Sequence, residues 1–211
     1  MRFVAVVIGY VFGLFQTGFI YGKTQGIDIR EHGSGNSGAT NTLRTLGWKA
    51  GVITFAGDCI KAVIAILLVR YLFGDMFTED IKILEMYAGF GTVLGHNYPF
   101  YMNFKGGKGI ATTSGVCFVV CPQAVPVCLT VFVLCLVLSK YVSLGSILMI
   151  LLFLIQILLF NGYGIIGIAE NNILEFNVLA ILFSVLAIYR HRANIVRLIK
   201  GTENKVGKKV E

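Results

Sequence analysis

Six long apolar stretches, separated by short polar segments, restrict the fold of this sequence more than any other feature. Only 14% of the 211 residues are charged and 56% are hydrophobic, whereas a soluble domain carries about 25% charged residues. The core of such a short chain is too small to bury all six stretches, so lipid must cover them. The sequence therefore predicts a single all-α polytopic membrane domain over residues 1–200 and a short polar tail over 201–211.

Five of these stretches have the length of one transmembrane helix. They are 3–21, 51–73, 83–101, 142–160 and 174–190. The sixth, Gly109–Ser139, is too long for one ordinary span and contains Pro122 and Pro126. We interpret it as two short helices, 110–121 and 124–139, hinged at the prolines. The predicted total is seven transmembrane helices.

The distribution of basic residues predicts the orientation of the chain. Fourteen of the eighteen Lys and Arg residues lie in 22–50, in 102–109, at Lys140 or from Arg190 onward. Seven spans place all fourteen on one side of the membrane, which the positive-inside rule makes the cytoplasm. The N-terminus is then outside, and the glycine-rich loops and the tail are cytoplasmic. We expect a multi-pass membrane protein.

Composition also excludes several classes of function. The basic residues that give a pI of about 9.2 lie in short loops between apolar spans, so we predict no nucleic-acid partner. The five cysteines all lie in apolar stretches, with no CxxC motif and no Cys/His cluster. This pattern argues against a disulfide framework and against a metal site.

The loop 22–50 contains a dense polar motif, Gly33–Asn41, followed by Arg44. Its three glycines allow the backbone to aim N–H groups at an anion, and Arg44 can bind a phosphate through two hydrogen bonds. The side-chain donors of the motif are Ser34, Asn36, Thr40 and Asn41. The motif favours a phosphate site, and the alternative is a flexible linker.

A second glycine-rich loop ends in Lys105, Gly106, Gly107, Lys108 and Gly109 and leads directly into a short helix. A glycine–lysine loop at a helix N-terminus is suited to bind phosphate. It is not a Walker A loop, because Met102 and Gly109 stand where that motif needs Gly and Ser or Thr. The alternative is a pair of lysines that contact lipid headgroups.

Four further features carry candidate residues. His191 and Asn194 follow the last span and share a helix face, although basic residues here are also ordinary membrane anchors. Ser143 lies just after Lys140 and can add a hydroxyl donor. Asp58 and Lys61 are expected to pair inside the second span and to point into the bundle. The segment His96–Pro99 is interpreted as a helix stop and an interfacial belt.

Taken together, these motifs resemble the acyl-phosphate:glycerol-3-phosphate acyltransferase family (PlsY) of bacterial membranes. The matching stretches are GSGNSGATNTLR at 33–44, GHNYPFYMNFKGGKGIAT at 95–112, YVSLGS at 141–146 and RHRANIVRLIKGTE at 190–203. The resemblance implies seven transmembrane helices with a cytoplasmic active site. It also implies transfer of a fatty acyl group from a long-chain acyl phosphate to the sn-1 hydroxyl of glycerol 3-phosphate. The products are lysophosphatidic acid and inorganic phosphate, with no cofactor and no coenzyme A.

The resemblance also implies roles for individual residues. Ser34, Asn36 and Thr40 would hold the phosphoryl group of the donor. Arg44 and Lys108 would bind the acceptor phosphate, with Ser143 nearby. His191 and Asn194 would orient the acceptor hydroxyl, and either His191 or a substrate phosphate would accept its proton. The chain departs from the family pattern at Ser37, where the family usually has proline.

The alternative function is an organic-phosphate transporter or channel, because basic residues and glycine breaks also suit an anion pathway. A transporter predicts charged residues near the bilayer midplane, but the basic motifs of this chain lie at loop ends. The residues also disfavour a CoA donor. None of His32, His96 and His191 is followed five residues later by an acidic residue, as in many CoA-dependent glycerophosphate acyltransferases.

Overall fold

The computed structural model of this chain describes residues 1–206. Within these residues it contains ten α-helices and no strand, so the predicted all-α class is confirmed. The helices are α1 (Arg2–Gly13), α2 (Thr17–Thr24), α3 (Ala39–Leu46), α4 (Trp48–Phe73), α5 (Ile81–Asn97), α6 (Ile110–Val120), α7 (Val125–Ser139), α8 (Val142–Gly162), α9 (Ile173–Arg190) and α10 (Arg192–Ile199). Residues 207–211 of the predicted tail lie outside the described part of the chain.

Within residues 1–206, five helical segments are long and apolar enough to cross a membrane. They are Arg2–Thr24, Trp48–Phe73, Pro122–Ser139, Val142–Gly162 and Glu170–Arg190. Helices also form at the other two predicted spans, but α5 has 17 residues and α6 has 11. At 1.5 Å per residue these lengths are about 25 Å and 16 Å, below the 30 Å hydrocarbon core. Seven crossings and an external N-terminus therefore stay predictions.

The predicted break in the long sixth stretch is confirmed. Helix α6 ends at Val120, a 3-10 turn covers Pro122–Ala124, and α7 begins at Val125 with Pro126 in its first turn. Proline suits the first turn of a helix, where its missing N–H has no partner to lose, but not the interior. The two prolines therefore end one helix and begin the next.

The predicted span 3–21 lies within the apolar segment Arg2–Thr24, but this segment is not one continuous helix. The first apolar stretch is interrupted between α1 and α2, at residues 14–16. The buried amide of Gln16 donates to the Gly13 carbonyl at 3.2 Å. Lys61 of α4 donates to the Phe15 carbonyl at 2.6 Å. Polar side chains thus replace the helical hydrogen bonds that the break removes.

The chain forms two compact units, Met1–Val120 (unit 1) and Cys121–Glu211 (unit 2). In unit 1, α1 packs on α5 through glycines of both helices. A Cβ at Gly9 would overlap the Ala88 carbonyl, and one at Gly91 would overlap the Val6 carbonyl. Small residues at a helix interface allow two backbones to approach this closely. In unit 2, α8 packs against α7 and α9. One domain over 1–200 stays a prediction.

Candidate active site

The first glycine-rich motif is a loop that its own side chains hold in shape. Gly33 and Gly35 have φ values of +59° and +69°, a region that disfavours other residues. Buried Asn41 accepts the Ser34 N–H at 2.7 Å and donates to the Ile29 and His32 carbonyls at 3.0 and 2.9 Å. These three bonds favour a role for Asn41 in shaping the loop, and its predicted contact with substrate stays a prediction.

Asn36 connects the two glycine-rich loops. Its Oδ1 accepts the Gly38 N–H at 3.0 Å, and its Nδ2 donates to the Gly106 carbonyl at 3.2 Å. Gly38 is also the N-terminal cap of α3, so the backbone N–H groups of the first turn of α3 emerge beside this contact. The structure therefore brings the predicted residues Asn36 and Gly106 together.

The other candidates of the first motif differ in exposure. Ser34 is exposed, whereas Thr40 and Arg44 are half-buried. Thr40 and Arg44 are four residues apart on α3, so they share one face of this helix. Ser37 is buried and donates to Gln16 Oε1 at 3.1 Å. The hydroxyl gained by the departure from proline thus holds the loop to the break between α1 and α2.

The second glycine-rich loop lies directly on the C-terminal end of α5. The N–H groups of Gly106 and Gly107 donate to the carbonyls of Asn97 and His96, each at 3.1 Å. A Cβ at Gly106 would overlap the His96 carbonyl, and one at Gly107 would overlap the His96 ring. Both positions therefore need glycine for close approach.

Beyond this contact the loop leads into α6. Gly109 has φ +82°, a left-handed backbone that favours glycine, and its carbonyl accepts the Thr113 N–H at 2.7 Å. Lys108 is half-buried and Lys105 is exposed. The loop thus presents Lys108 just before the N-terminus of α6, as a phosphate loop requires.

Beneath these loops lies a cluster of buried polar side chains. The predicted Asp58–Lys61 pair is confirmed, with Lys61 Nζ 2.9 Å from Asp58 Oδ1. Lys61 Nζ is also 2.8 Å from Nδ1 of His96. His96 is only 2% exposed, so its interpretation as an interfacial belt residue is wrong, although α5 does end at Asn97 as predicted.

Unit 2 brings Ser143 and Asn194 together around a carboxylate that sequence reasoning did not single out. Glu203 Oε1 accepts from Ser143 Oγ at 3.1 Å and from Asn194 Nδ2 at 2.8 Å, and its Oε2 accepts from Arg197 at 2.7 Å. Burial alone would raise the pKa of Glu203, but these hydrogen bonds outweigh it and lower the pKa.

His191 occupies the junction between α9 and α10. It is buried, and its Nδ1 lies 2.8 Å from the Ala187 carbonyl. A carbonyl oxygen only accepts, so Nδ1 carries a proton. This hydrogen bond fixes the ring orientation three residues before Asn194, and the shared function of the two residues stays a prediction.

Comparison with known proteins identifies the family of this chain. The family model described as "Glycerol-3-phosphate acyltransferase" matches residues 3–201. The chain belongs to the glycerol-3-phosphate acyltransferase family. A glycerol-3-phosphate acyltransferase of Alkaliphilus metalliredigens is 42% identical over 210 residues, 99% of this chain and 98% of the relative. One of Bacillus subtilis is 40% identical over 202 residues, 95% of each chain.

Solved structures of this acyltransferase family have the same fold. A crystal structure of PlsY, an integral membrane glycerol 3-phosphate acyltransferase, in its glycerol 3-phosphate form matches with a TM-score of 0.82 and 36% identity, covering 98% of this chain and 96% of that chain. Its lysophosphatidic acid form matches with a TM-score of 0.80. The family resemblance predicted from the motifs is confirmed, and the chain is a multi-pass membrane protein. An acyltransferase family also disfavours the transporter or channel.

Proposed function

We propose that this chain transfers a fatty acyl group from acyl phosphate to the sn-1 hydroxyl of glycerol 3-phosphate. The products are lysophosphatidic acid and inorganic phosphate, the first acylation step of phospholipid synthesis. The observation that carries this proposal is the pair of phosphate-type loops in unit 1, joined by the 3.2 Å bond from Asn36 to the Gly106 carbonyl. Both substrates of this reaction carry a phosphate group, and relatives at 42% identity bear the name of the acyltransferase.

The two substrate phosphates would have separate binding residues. Ser34, Asn36 and Thr40 would hold the phosphoryl group of the acyl phosphate with hydroxyl and amide donors. Arg44 and Lys108 would bind the phosphate of glycerol 3-phosphate through charge-assisted hydrogen bonds. Positive charge here offsets the repulsion between two anionic substrates, which must approach for reaction.

Ser143, His191 and Asn194 of unit 2 would act on the acceptor. The hydroxyl oxygen of glycerol 3-phosphate attacks the acyl carbonyl carbon, and the bond from this carbon to the phosphate oxygen breaks. Phosphate is a good leaving group, so the protein need not form a covalent intermediate. The hydroxyl proton goes to His191 or to a substrate phosphate, and Asn194 orients the hydroxyl. This role for His191 is consistent with an imidazole held by the Ala187 carbonyl.

The membrane supplies the donor in this proposal. Long apolar helices flank the polar loops in sequence, so a long acyl chain can stay in the lipid while its phosphate enters the loops. The excess of basic residues in these loops supports a reaction on the cytoplasmic side of a bacterial cell membrane. Glycerol 3-phosphate, which is soluble and charged, would then reach the loops from the cytoplasm.

The test is product formation by homogeneous protein in detergent or liposomes. Purified protein, glycerol 3-phosphate and palmitoyl phosphate should yield lysophosphatidic acid and inorganic phosphate in equal amounts. Glycerol, which lacks the phosphate, serves as the matched acceptor control and should react poorly. Phosphate release without lysophosphatidic acid would contradict the proposal, because it would indicate simple hydrolysis of the donor.

A further inference from the structure

A buried charged cluster in unit 1 is the strongest feature that the proposed chemistry leaves unused. It consists of Asp58 and Lys61 on α4 and His96 at the end of α5, and these residues are 1%, 4% and 2% exposed. Burying a charged pair is unfavourable unless every partner is well placed, and apolar residues of similar volume often give equal or higher stability. The positions of the partners therefore indicate what the cluster holds in place.

One set of partners lies at the break between α1 and α2. Lys61 donates to the Phe15 carbonyl at 2.6 Å and approaches the Gly13 carbonyl at 3.4 Å. Thr17 Oγ1 donates to Asp58 Oδ1 at 3.1 Å. The cluster thus binds the residues on both sides of the break and fixes where the polar backbone turns inside the apolar first segment.

The other set of partners leads to both glycine-rich loops. His96 accepts the Gly107 N–H at its carbonyl, and its Nε2 lies where a Gly107 side chain would stand. The same His96 carbonyl accepts from Gln16 Nε2 at 3.0 Å, and Gln16 Oε1 accepts from Ser37 Oγ. His96 therefore contacts the second loop directly and is linked to the first loop through Gln16.

Lys61 also contacts the His96 ring directly. Lys61 Nζ lies 2.8 Å from Nδ1 of His96, and the other ring nitrogen, Nε2, lies at the position that a Gly107 side chain would occupy. The imidazole ring thus stands between Lys61 and the loop that presents Lys108.

We propose that Lys61 is a positioning residue for acyl transfer, acting through His96 to set the shape of the loop Gly106–Gly109. This role rests on the proposed function, in which this loop binds the phosphate of glycerol 3-phosphate. Lys61 would not touch either substrate. Its loss should disturb the phosphate site of the loop, and hence the KM for glycerol 3-phosphate, more than the use of acyl phosphate.

The test is Lys61→Met, which keeps an apolar stem of similar length and removes the charge. The matched control is Arg70→Met, because Arg70 of α4 also pairs with a buried carboxylate on α5, Glu85, but at a distance from the loops along α4. Lys61→Met should raise the KM for glycerol 3-phosphate at least about tenfold with the acyl phosphate KM changed less than about threefold. Arg70→Met should leave both KM values unchanged.

Two substitutions at His96 test the route through this residue, and they decide the question if Lys61→Met does not fold. Asn places its amide near the position of Nδ1, and Gln places it near Nε2. Because Asn keeps the contact with Lys61 Nζ and Gln does not, we expect His96→Asn to have a lower KM for glycerol 3-phosphate than His96→Gln. Equal KM values in the two variants would overturn the positioning role, as would an unchanged KM in Lys61→Met.

Failure of the two proposals can be told apart. A wild-type protein that makes no lysophosphatidic acid would refute the proposed function, and the positioning role with it. An active wild type whose Lys61→Met and Arg70→Met variants have the same kinetics would refute the positioning role alone.

Discussion

The candidate residues of unit 1 and those of unit 2 are held in place by opposite means. In unit 1 the backbone of the second loop lies so close to His96 that Gly107 has no room for a side chain. In unit 2 the donors Ser143 and Asn194, on α8 and α10, meet at the carboxylate of Glu203. The arrangement in unit 1 therefore depends on the absence of a side chain, and the arrangement in unit 2 depends on one carboxylate.

This difference predicts different responses to mutation. A glycine loop fixed by close backbone contact should lose its activity abruptly when a glycine is replaced by a larger residue, because packed interiors accommodate extra atoms poorly. A cluster gathered by a carboxylate should weaken gradually, because partial hydrogen bonding survives when the charge is removed. The following predictions test this contrast, beginning with the largest expected effect.

Gly107→Ala should lower kcat/KM at least about a hundredfold. The new methyl group would overlap the His96 ring, and a shift of about 1 Å at a positioning element can cost about 10²-fold in rate. Gly162→Ala is the control, since a Cβ at Gly162 meets no atom within 4 Å. Equal activities of the two variants would contradict the close-packed loop.

Arg44→Ala and Lys108→Ala should each lower kcat/KM for glycerol 3-phosphate at least about tenfold. A charge-assisted hydrogen bond contributes about 1.5–3 kcal/mol, and both side chains are half-buried in unit 1. Exposed Lys49 provides the matched control as Lys49→Ala, which should retain wild-type kinetics. Acceptor kinetics that do not change in either test variant would remove these residues from the phosphate site.

Glu203→Ala should lower the free energy of unfolding by about 1–3 kcal/mol, since three donors lose a charged acceptor, and Glu203→Gln should lower it less. The pKa of Glu203 is lowered in the folded protein from its usual value of 4.5. Its stabilisation is therefore complete above about pH 4.5 and is lost as pH falls below that value. Thermal unfolding between pH 3 and 7 measures this.

The alanine variant should lack this acid-dependent part of the unfolding curve. If wild type and Glu203→Ala lost stability in parallel below pH 4.5, the carboxylate would not be the group that gathers Ser143 and Asn194.

The smallest effect is expected for Ser37→Pro, which restores the residue usual in the family. The variant loses the hydrogen bond to Gln16, worth about 0.5–1.5 kcal/mol. Proline also lowers the conformational entropy of the unfolded chain, which stabilises the folded protein by about 0.4–1 kcal/mol where the φ of the loop suits proline. These contributions nearly cancel, so kcat/KM should change less than about threefold. A loss above tenfold would show that the Ser37 hydroxyl is essential for the shape of the first loop.

Features set by local sequence could be predicted, and features set by contacts between distant segments could not. Pro122 and Pro126 act on their own helices, so the break between α6 and α7 follows from the sequence. The break at residues 14–16 depends on Lys61, more than forty residues away in the chain, and no local signal marks it. Likewise, nothing in the sequence around His96 indicates that Lys61 and Gly107 lie against its ring.

The site shows the same division. The glycine and lysine motifs could be read as phosphate loops because glycine frequency and charge are local properties of the sequence. The roles of Asn41 and Glu203 could not, because an amide can bind substrate or shape its own loop with the same atoms. The hydrogen bonds of Asn41 to Ser34, Ile29 and His32 all end within residues 29–41, and only the folded backbone reveals them.

The measurement that tests the central claim most directly is a paired donor assay with homogeneous protein. The same palmitoyl chain is supplied on phosphate and on CoA, with glycerol 3-phosphate as acceptor. We expect efficient turnover of palmitoyl phosphate and at least about a hundredfold slower use of palmitoyl-CoA, because a loop that fits one phosphoryl group makes few contacts with a nucleotide. Similar rates with the two donors would contradict it.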